Sequence, residues 1–173
     1  AGGKFSGKTY ATSGGLHGVG ASVVNALSSE LTVEIAREKM LYRQQFSRGA
    51  PLTELREIGT ASNRRGTTVT FTPDIEIFGD NAKFRAPTLF RLARSKAYLF
   101  AGVEIRWRCD PALLASNDTI PAEASLHFPG GLADALNDAI QDKGLMISTP
   151  FAELTKLDGQ KFEWAITWLD ASE

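Results

Sequence analysis

The segment Ser13-Gly14-Gly15-Leu16-His17-Gly18-Val19-Gly20 leads directly into the small and aliphatic residues 21–27. Four glycines in seven positions do not form a regular helix or strand, and so dense a cluster indicates positive φ angles or a backbone that approaches a ligand. A helix start carries unpaired N–H groups and the positive end of the helix dipole, so a glycine loop that opens a helix suits an anion, usually phosphate. The glycine spacing alone is equally compatible with a flexible turn before a core helix.

A different glycine pattern lies at residues 2–9, which match the P-loop sequence G-x-x-x-x-G-K-[ST]. A P-loop follows a buried strand and opens a helix, so that its amides surround the phosphates. Here only Ala1 precedes the pattern, and the residues after it lack a helical period. A P-loop NTPase is therefore the disfavoured alternative, and Lys8 receives no role.

The composition is typical of an ordinary globular protein. The 173 residues are 43% hydrophobic and carry a net charge of −1, so no strong global field recruits nucleic acid or a membrane. Cys109 is the only cysteine, which excludes a disulfide framework and fits a reducing setting. Without a signal peptide, a long apolar run or an initiator Met, the sequence predicts a cytoplasmic fragment of a longer protein, with no membrane segment.

Hydrophobic periodicity predicts an α+β fold whose strands are mostly antiparallel. Residues of alternating polarity predict strands at 31–35, 41–46, 67–72, 103–107, 122–128 and 162–168, and a less regular one at 52–58. Helical spacing predicts helices at 21–27 and 83–101, and one that begins at Leu132 and stops near Lys143. This order of elements indicates a meander rather than βαβ units. The residues expected on the core face of the second helix are Phe84, Leu89, Leu92, Ala93 and Ala97.

The glycine segment closely resembles a known family. Residues 13–28 are similar to the ATP lid and second glycine box of the GHKL ATPases, and more narrowly to those of the B subunits of bacterial type II DNA topoisomerases. Residues 1–5 resemble the lysine-bearing start of the lid, and residues 65–74 resemble the strand whose Gly-Thr lies beside the adenine. Residues 162–169 resemble the first transducer strands, and their tryptophans favour the topoisomerase IV branch over the gyrase branch.

This resemblance implies a particular architecture. We expect a two-layer sandwich in which a mixed, mostly antiparallel sheet carries helices on one face. Residues 1–145 would form the C-terminal part of the ATPase domain. Residues 146–173 would begin a truncated transducer domain.

The resemblance also implies a nucleotide site. The backbone N–H groups of residues 15–20 would bind the β- and γ-phosphates of ATP, Lys4 would add a charge near the γ-phosphate, and Thr67 would join a water-mediated network to the adenine. His17 would donate toward phosphate or anchor the loop. Arg43 would lie at the outer edge of the pocket or be an exposed strand cation. The expected nucleotide-binding residues are Lys4, Gly14, Gly15, Leu16, His17, Gly18, Val19, Gly20, Ala21 and Thr67.

Neither a catalytic residue nor a metal ligand is expected in this chain. In the family a Glu acts as general base, an Asn holds Mg²⁺ and an Asp reads the adenine, within an E-x-x-x-N helix and a D-x-G-x-G turn that precede the lid. Neither pattern is present, and the transducer lysine would lie beyond Glu173. Because hydrolysis needs water activation and metal together, we expect no ATP turnover by this chain alone and weak ATP binding.

For an intact protein the resemblance implies ATP-dependent change of DNA topology. ATP would bring together two B subunits, and a partner A subunit would cut double-stranded DNA with its own tyrosine, so Tyr10, Tyr42 and Tyr98 are not nucleophiles. Three alternatives stay open: a gyrase B subunit; another GHKL member, such as a histidine kinase, a mismatch-repair ATPase or a chaperone; and a non-enzymatic binding module.

Overall fold

The computed structural model describes residues 18–80, 82–115, 119–157 and 160–170. Its contacts divide the chain into two compact units, one that ends at Lys83 and one that begins at Phe84. The described part of the first unit holds two short helices and a five-stranded sheet. The described part of the second holds two longer helices and two strand pairs.

In the first unit, a short helix precedes the first strand of the sheet. Its described elements are α1 (Gly20–Ala26), β1 (Ser28–Arg37), β2 (Met40–Ser47), β3 (Ala50–Pro51), β4 (Arg56–Thr60), β5 (Gly66–Pro73) and α2 (Ile75–Phe78). Strand β1 pairs with β2 on one side and β5 on the other, and β2 pairs with β3 and β4 at its far edge. Each pairing is antiparallel, as predicted. The predicted meander is not followed throughout, because β5 lies beside β1 at the other edge of the sheet and not beside β4.

The register of this sheet follows from the alternation in β1. Val33 lies opposite Val69 of β5, and Leu31 lies opposite Phe71. Residues directly opposite in an antiparallel ladder share a face, so these four side chains form an apolar stripe. Leu31 is only 5% exposed, whereas Val69 is 52% exposed, so the stripe is buried at Leu31 and open to solvent at Val69.

The second unit combines two helices with two strand pairs. Its described elements are α3 (Ala86–Leu99), β6 (Glu104–Arg108), a 3₁₀ turn (Pro111–Leu113), β7 (Glu123–His127), α4 (Leu132–Ile140), β8 (Phe151–Leu157) and β9 (Gln160–Ile166). Strand β6 pairs with β7, and β8 pairs with β9, both antiparallel. Helix α4 packs against β8 and β9. Helix α3 packs against β6 and β7 and buries Ala97 completely.

A polar cluster joins α3 to α4. The Arg94 guanidinium donates to Asp138 Oδ2 at 2.6 Å and to the Tyr98 hydroxyl at 2.8 Å, and that hydroxyl also donates to Asp138. The hydrogen bonds from Tyr98 and then Arg94 lower the pKa of Asp138, while burial raises the pKa of Tyr98. The Tyr98 ring stacks on Phe128 with ring centroids 4.0 Å apart, so the cluster has an apolar side.

Three features differ from the sequence-based expectations. The strand predicted at 52–58 is observed at Arg56–Thr60, because the N–H groups of Leu52 and Thr53 both donate to the Gln45 carbonyl and turn the chain. Leu92 and Phe84, both expected on the core face of the second helix, are 54% and 53% exposed, and Phe84 precedes α3, which begins at Ala86. Helix α2, the 3₁₀ turn and strand β8 have no separate signal in the periodicity.

The α+β class is confirmed, whereas the boundary between residues 145 and 146 stays a prediction. Helices begin and end within a few residues of the predicted positions, for example at Gly20–Ala26 for the predicted 21–27. Among the described residues, none of the helices has both the length and the apolar character needed to cross a lipid bilayer.

Candidate nucleotide-binding site

The described end of the glycine segment is a turn that opens directly into α1. Gly18 has φ +65°, a left-handed conformation that glycine adopts without strain. Val19 occupies the N-cap position, and within the described residues no side chain caps this helix start. The Val23 N–H donates to the Val19 carbonyl at 2.9 Å, so the N–H groups of residues 20–22 precede the first intrahelical bond. The geometry therefore leaves three amides at the positive end of α1.

Gly20 is not a steric requirement of this fold. A Cβ built on Gly20 has nothing within 4 Å among the described residues, and its backbone is helical. Alanine would favour a helix at this position by about 1 kcal/mol. The described residues therefore give no steric reason for a glycine at this position. Ala21, the next expected site residue, lies exposed in the first turn of α1.

Thr67 lies on the sheet, at the near end of β5. It is exposed and lies opposite Ile35 of β1, which itself lies opposite Tyr42 of β2. These three residues therefore share one face. A cavity of about 420 Å³ opens on that face, lined by Ile35, Arg37, Glu38, Tyr42 and Leu55.

Arg37 and Tyr42 are neighbours of Thr67 that the sequence reasoning did not assign to the site. The period of two that predicts β1 could have found Arg37, since it follows Ile35 by two residues on the same face. The Arg37 side chain is 76% exposed and pairs with Glu38 at 3.1 Å, so its guanidinium is accessible from solvent.

Arg43 lies on the opposite face from Thr67. Its Nη2 atom pairs with Glu34 at 2.6 Å, and Glu34 lies opposite Thr68 rather than Thr67. Arg64 donates to the same Glu34 carboxylate at 3.1 Å. The hydrogen bonds from Arg43 and then Arg64 lower the pKa of Glu34. Of the two roles considered for Arg43, the geometry favours the exposed strand cation.

The remaining expected residues lie outside the described residues. These are Lys4, Gly14, Gly15, Leu16 and His17, and the P-loop pattern at residues 2–9 lies there too. Within the ranges that the structure describes, no group of three or more His, Cys, Asp or Glu side chains is placed to hold a metal ion.

Comparison with known proteins identifies the relatives. No protein-family model matches the chain. The B subunit of DNA topoisomerase 4 from Bartonella bacilliformis is 54% identical over 169 residues, which cover 96% of this chain and 24% of that protein. Its counterpart in Caulobacter vibrioides is 52% identical over 172 residues, which cover 97% of this chain and 24% of that protein. The chain is homologous to type II topoisomerase B subunits. It spans about a quarter of the length of these relatives.

The gyrase branch is similar to the chain at lower identity. The B subunit of DNA gyrase from Streptococcus pyogenes is 36% identical over 168 residues, which cover 97% of this chain and 25% of that protein. The 43K ATPase domain of Thermus thermophilus gyrase B, solved with an aminocoumarin, superposes with a TM-score of 0.74 at 33% identity. That superposition covers 88% of this chain and 40% of the other. The expected fold and the expected order, topoisomerase IV before gyrase, are both confirmed.

Proposed function

We propose that this chain is the part of a topoisomerase IV-type B subunit that closes over the phosphates of ATP. The observation that carries the proposal is the turn Gly18-Val19-Gly20, which has a left-handed glycine, no side-chain cap from the residues that the structure describes, and three amides ahead of the first helical bond. Backbone amides at a helix start bind phosphate oxygens well. Residues 15–20 would donate to the β- and γ-phosphates, flanked by Gly14 and Ala21, and Lys4 and His17 would add donors.

The adenine end of the nucleotide would lie on the sheet face that carries Thr67. This threonine is exposed at the start of β5, where its hydroxyl is accessible to an ordered water. The adjoining cavity beside Ile35 and Tyr42 supports a ligand on this face. The fold neighbour was solved with an aminocoumarin, and the exposed Arg37 guanidinium at the cavity rim is a donor that such a ligand would meet.

In the longer protein, the nucleotide would drive a dimer gate in the cytoplasm. ATP would join two B subunits, an A subunit would cut duplex DNA, and hydrolysis supported by Mg²⁺ would reset the gate. We assign neither the general base nor a magnesium ligand to any residue of this chain. The chain by itself therefore binds ATP weakly and does not hydrolyse it.

Gly20→Ala tests the phosphate contact. The matching segment of the Bartonella bacilliformis relative is replaced with this chain, and binding of a non-hydrolysable ATP analogue is titrated. Because a Cβ at Gly20 has nothing within 4 Å among the described residues, and alanine favours a helix at this position, the variant should melt no lower than the parent. It should bind the analogue about tenfold more weakly, since the methyl group occupies the space of a phosphate oxygen.

The control for this experiment is Arg108→Ala, which removes an exposed ion pair to Glu123 in the other unit and should leave affinity unchanged. Equal affinity of the Gly20→Ala and parent chimeras would refute the phosphate contact. Phosphate release by the isolated 173-residue chain at the rate of the intact relative would refute the claim that it lacks turnover.

A further inference from the structure

The C-terminal end of α1 is held by hydrogen bonds to the turn between β2 and β3 and to the residue that follows β5. The Ser28 hydroxyl donates to the Val24 carbonyl at 2.6 Å, and the Asp74 N–H donates to the Leu27 carbonyl at 3.0 Å. The Arg48 N–H donates to the Ser28 carbonyl at 2.8 Å, which brings the β2–β3 turn under the helix end. Gly49 then packs its backbone against Ala26, because a Cβ on Gly49 would lie 3.5 Å from the Ala26 Cα.

The side chain that fixes this turn is Arg48. Its Nε atom lies 2.6 Å from Asp74 Oδ2, and the Asp74 side chain is only 2% exposed. Its Nη2 atom lies 2.6 Å from the exposed Glu76 carboxylate. The other oxygen of Asp74 accepts the Glu76 N–H at 3.0 Å, so Asp74 also caps α2.

The backbone of Arg48 is unfavourable for an arginine. Arg48 has φ +50° and Gly49 has φ +85°, a pair of left-handed residues that sequences usually fill with Asn-Gly. A non-glycine residue in this conformation persists where its surroundings hold it. The ion pair to buried Asp74 stabilises the left-handed conformation of Arg48.

A short helix acts as a lever on the glycine turn. Seven residues span about 10 Å, so a tilt of about 10° at the anchored end moves the other end by about 2 Å. Such a displacement is large compared with the length tolerance of a hydrogen bond. The direction of the amides at residues 18–20 therefore depends on contacts made at residues 24–28.

We propose that the Arg48–Asp74 ion pair is a positioning device that sets the orientation of α1 and hence of the glycine turn Gly18-Val19-Gly20. Its importance for ligand binding rests on the proposed function. Arg48 is a positioning residue, since it contacts Ser28 and Asp74 at the C-terminal end of α1 and not the amides of the glycine turn.

The test compares Arg48→Ala and Arg48→Lys with the parent 173-residue chain by ¹H–¹⁵N NMR. In Arg48→Ala, the Gly18 and Gly20 signals shift or broaden, and exchange of the Val23 and Leu27 amides rises about tenfold while Val33 in β1 changes less than twofold. Arg48→Lys keeps part of the parent behaviour, so its signal shifts and exchange rates should lie between those of the parent and of Arg48→Ala. The reason is that an ammonium supplies the charge without the guanidinium fork.

Two controls bracket the result. Glu76→Ala removes only the exposed ion pair between Arg48 and Glu76 and leaves the pair to Asp74. Arg106→Ala removes an exposed ion pair to Glu104 in the other unit. Both leave the Gly18 and Gly20 signals in place. If Arg48→Ala prevents folding, Asp74→Asn provides the same comparison, since an amide oxygen still caps α2 but the charge is gone.

The proposal is overturned if Arg48→Ala leaves Gly18 and Gly20 unchanged, or if the strand amides exchange faster by the same factor as α1. In the chimera, analogue affinity should fall about tenfold in Arg48→Ala and recover partly in Arg48→Lys. Undiminished affinity also overturns it. A parent chimera that binds no analogue refutes the proposed function, and the NMR comparison still decides the positioning role.

Discussion

The starts of α1 and α4 both use a glycine of positive φ but differ in what satisfies their amides. Gly18, at φ +65°, precedes the N-cap residue Val19 of α1, whereas Gly131, at φ +59°, is itself the N-cap of α4. At α4 the Leu132 N–H donates to Glu163 Oε1 at 2.8 Å, and the Gly130 N–H donates to Asp134 Oδ2 at 2.8 Å. At α1, among the described residues, no side chain caps the helix, and its first turn holds no acidic residue.

Under the proposed function, this difference distinguishes a helix start closed by the protein from one that would bind a ligand. Carboxylates near a helix N-terminus are stabilising because they satisfy orphan N–H groups and the dipole. Helix α4 receives them from its own first turn and from strand β9, which ties the helix to the hairpin. Among the described residues, no side chain caps the amides of α1. In the proposed site an external anion would supply at α1 what Asp134 and Glu163 supply at α4.

The largest expected effect comes from Gly131→Ala, which breaks the closed helix start. A Cβ there overlaps Glu163 Oε1, and the backbone at φ +59°, ψ −123° excludes other residues. We expect a loss of about 3 kcal/mol of unfolding free energy. Urea unfolding followed by tryptophan fluorescence measures it, since Trp107, Trp164 and Trp168 all lie in the second unit.

Gly102→Ala is the matched control, because Gly102 has φ +92° but an added Cβ would have no atom of the described residues within 4 Å. Gly102→Ala should lose only the unfolding free energy that a non-glycine residue costs at positive φ. The double variant with Glu163→Ala should recover part of the Gly131→Ala loss by removing the overlap. Equal losses of unfolding free energy in Gly131→Ala and Gly102→Ala would contradict a specific role of the Glu163 contact at the start of α4.

A second prediction closes the open start by giving α1 its own carboxylate. Val19→Asp should stabilise the helix by about 0.5 kcal/mol through capping and the dipole. In the chimera it should weaken binding of the ATP analogue by more than about tenfold, because the carboxylate opposes the phosphates. Val19→Asn supplies the cap without the charge, so it should lose much less affinity. Similar losses for Asp and Asn would argue against a phosphate at this position.

The smallest expected effect concerns the α3–α4 cluster, a second tie that holds α4. Because hydrogen bonds from Tyr98 and Arg94 depress the pKa of Asp138, its stabilisation is present above the unfolded-state pKa of about 3.9 and is lost as pH falls below that value. Asp138→Asn should therefore flatten the fall in melting temperature between about pH 5 and pH 3. Asp142→Asn, just beyond α4, is the control. If the melting temperature of Asp138→Asn falls with pH as steeply as that of the parent, the ionised Asp138 carboxylate does not contribute to stability as proposed.

Strong local periodicity made most of the fold predictable. The alternation of Leu31, Val33 and Ile35 predicts β1, and β-branched residues predict β5. The strand at 52–58 was misplaced because bonds from Leu52 and Thr53 to Gln45 redirect the chain, and such long-range bonds leave no local pattern. Leu92 fits a helical stripe by spacing, yet it is exposed because burial depends on what packs against the helix.

The candidate site was predictable where one short segment carries it. The glycine cluster indicates a phosphate turn because glycine density and a following helix are both local features. Arg37, Tyr42 and the cavity beside them escaped notice, since they meet only when β1 and β2 pair. The opposite placement of Arg43 and Thr67 also depends on register, which a one-residue slip would reverse.

The sequence alone determined the α+β class, the resemblance to topoisomerase B subunits and the position of the glycine turn, because periodicity and glycine content act over a few residues. Only the tertiary structure decided which helix start stays open and what holds it. Glu163 reaches α4 from a strand 31 residues away, and Arg48 reaches Asp74 across 26 residues. Pairings over such distances arise from strand register and packing, which no short segment of the chain encodes.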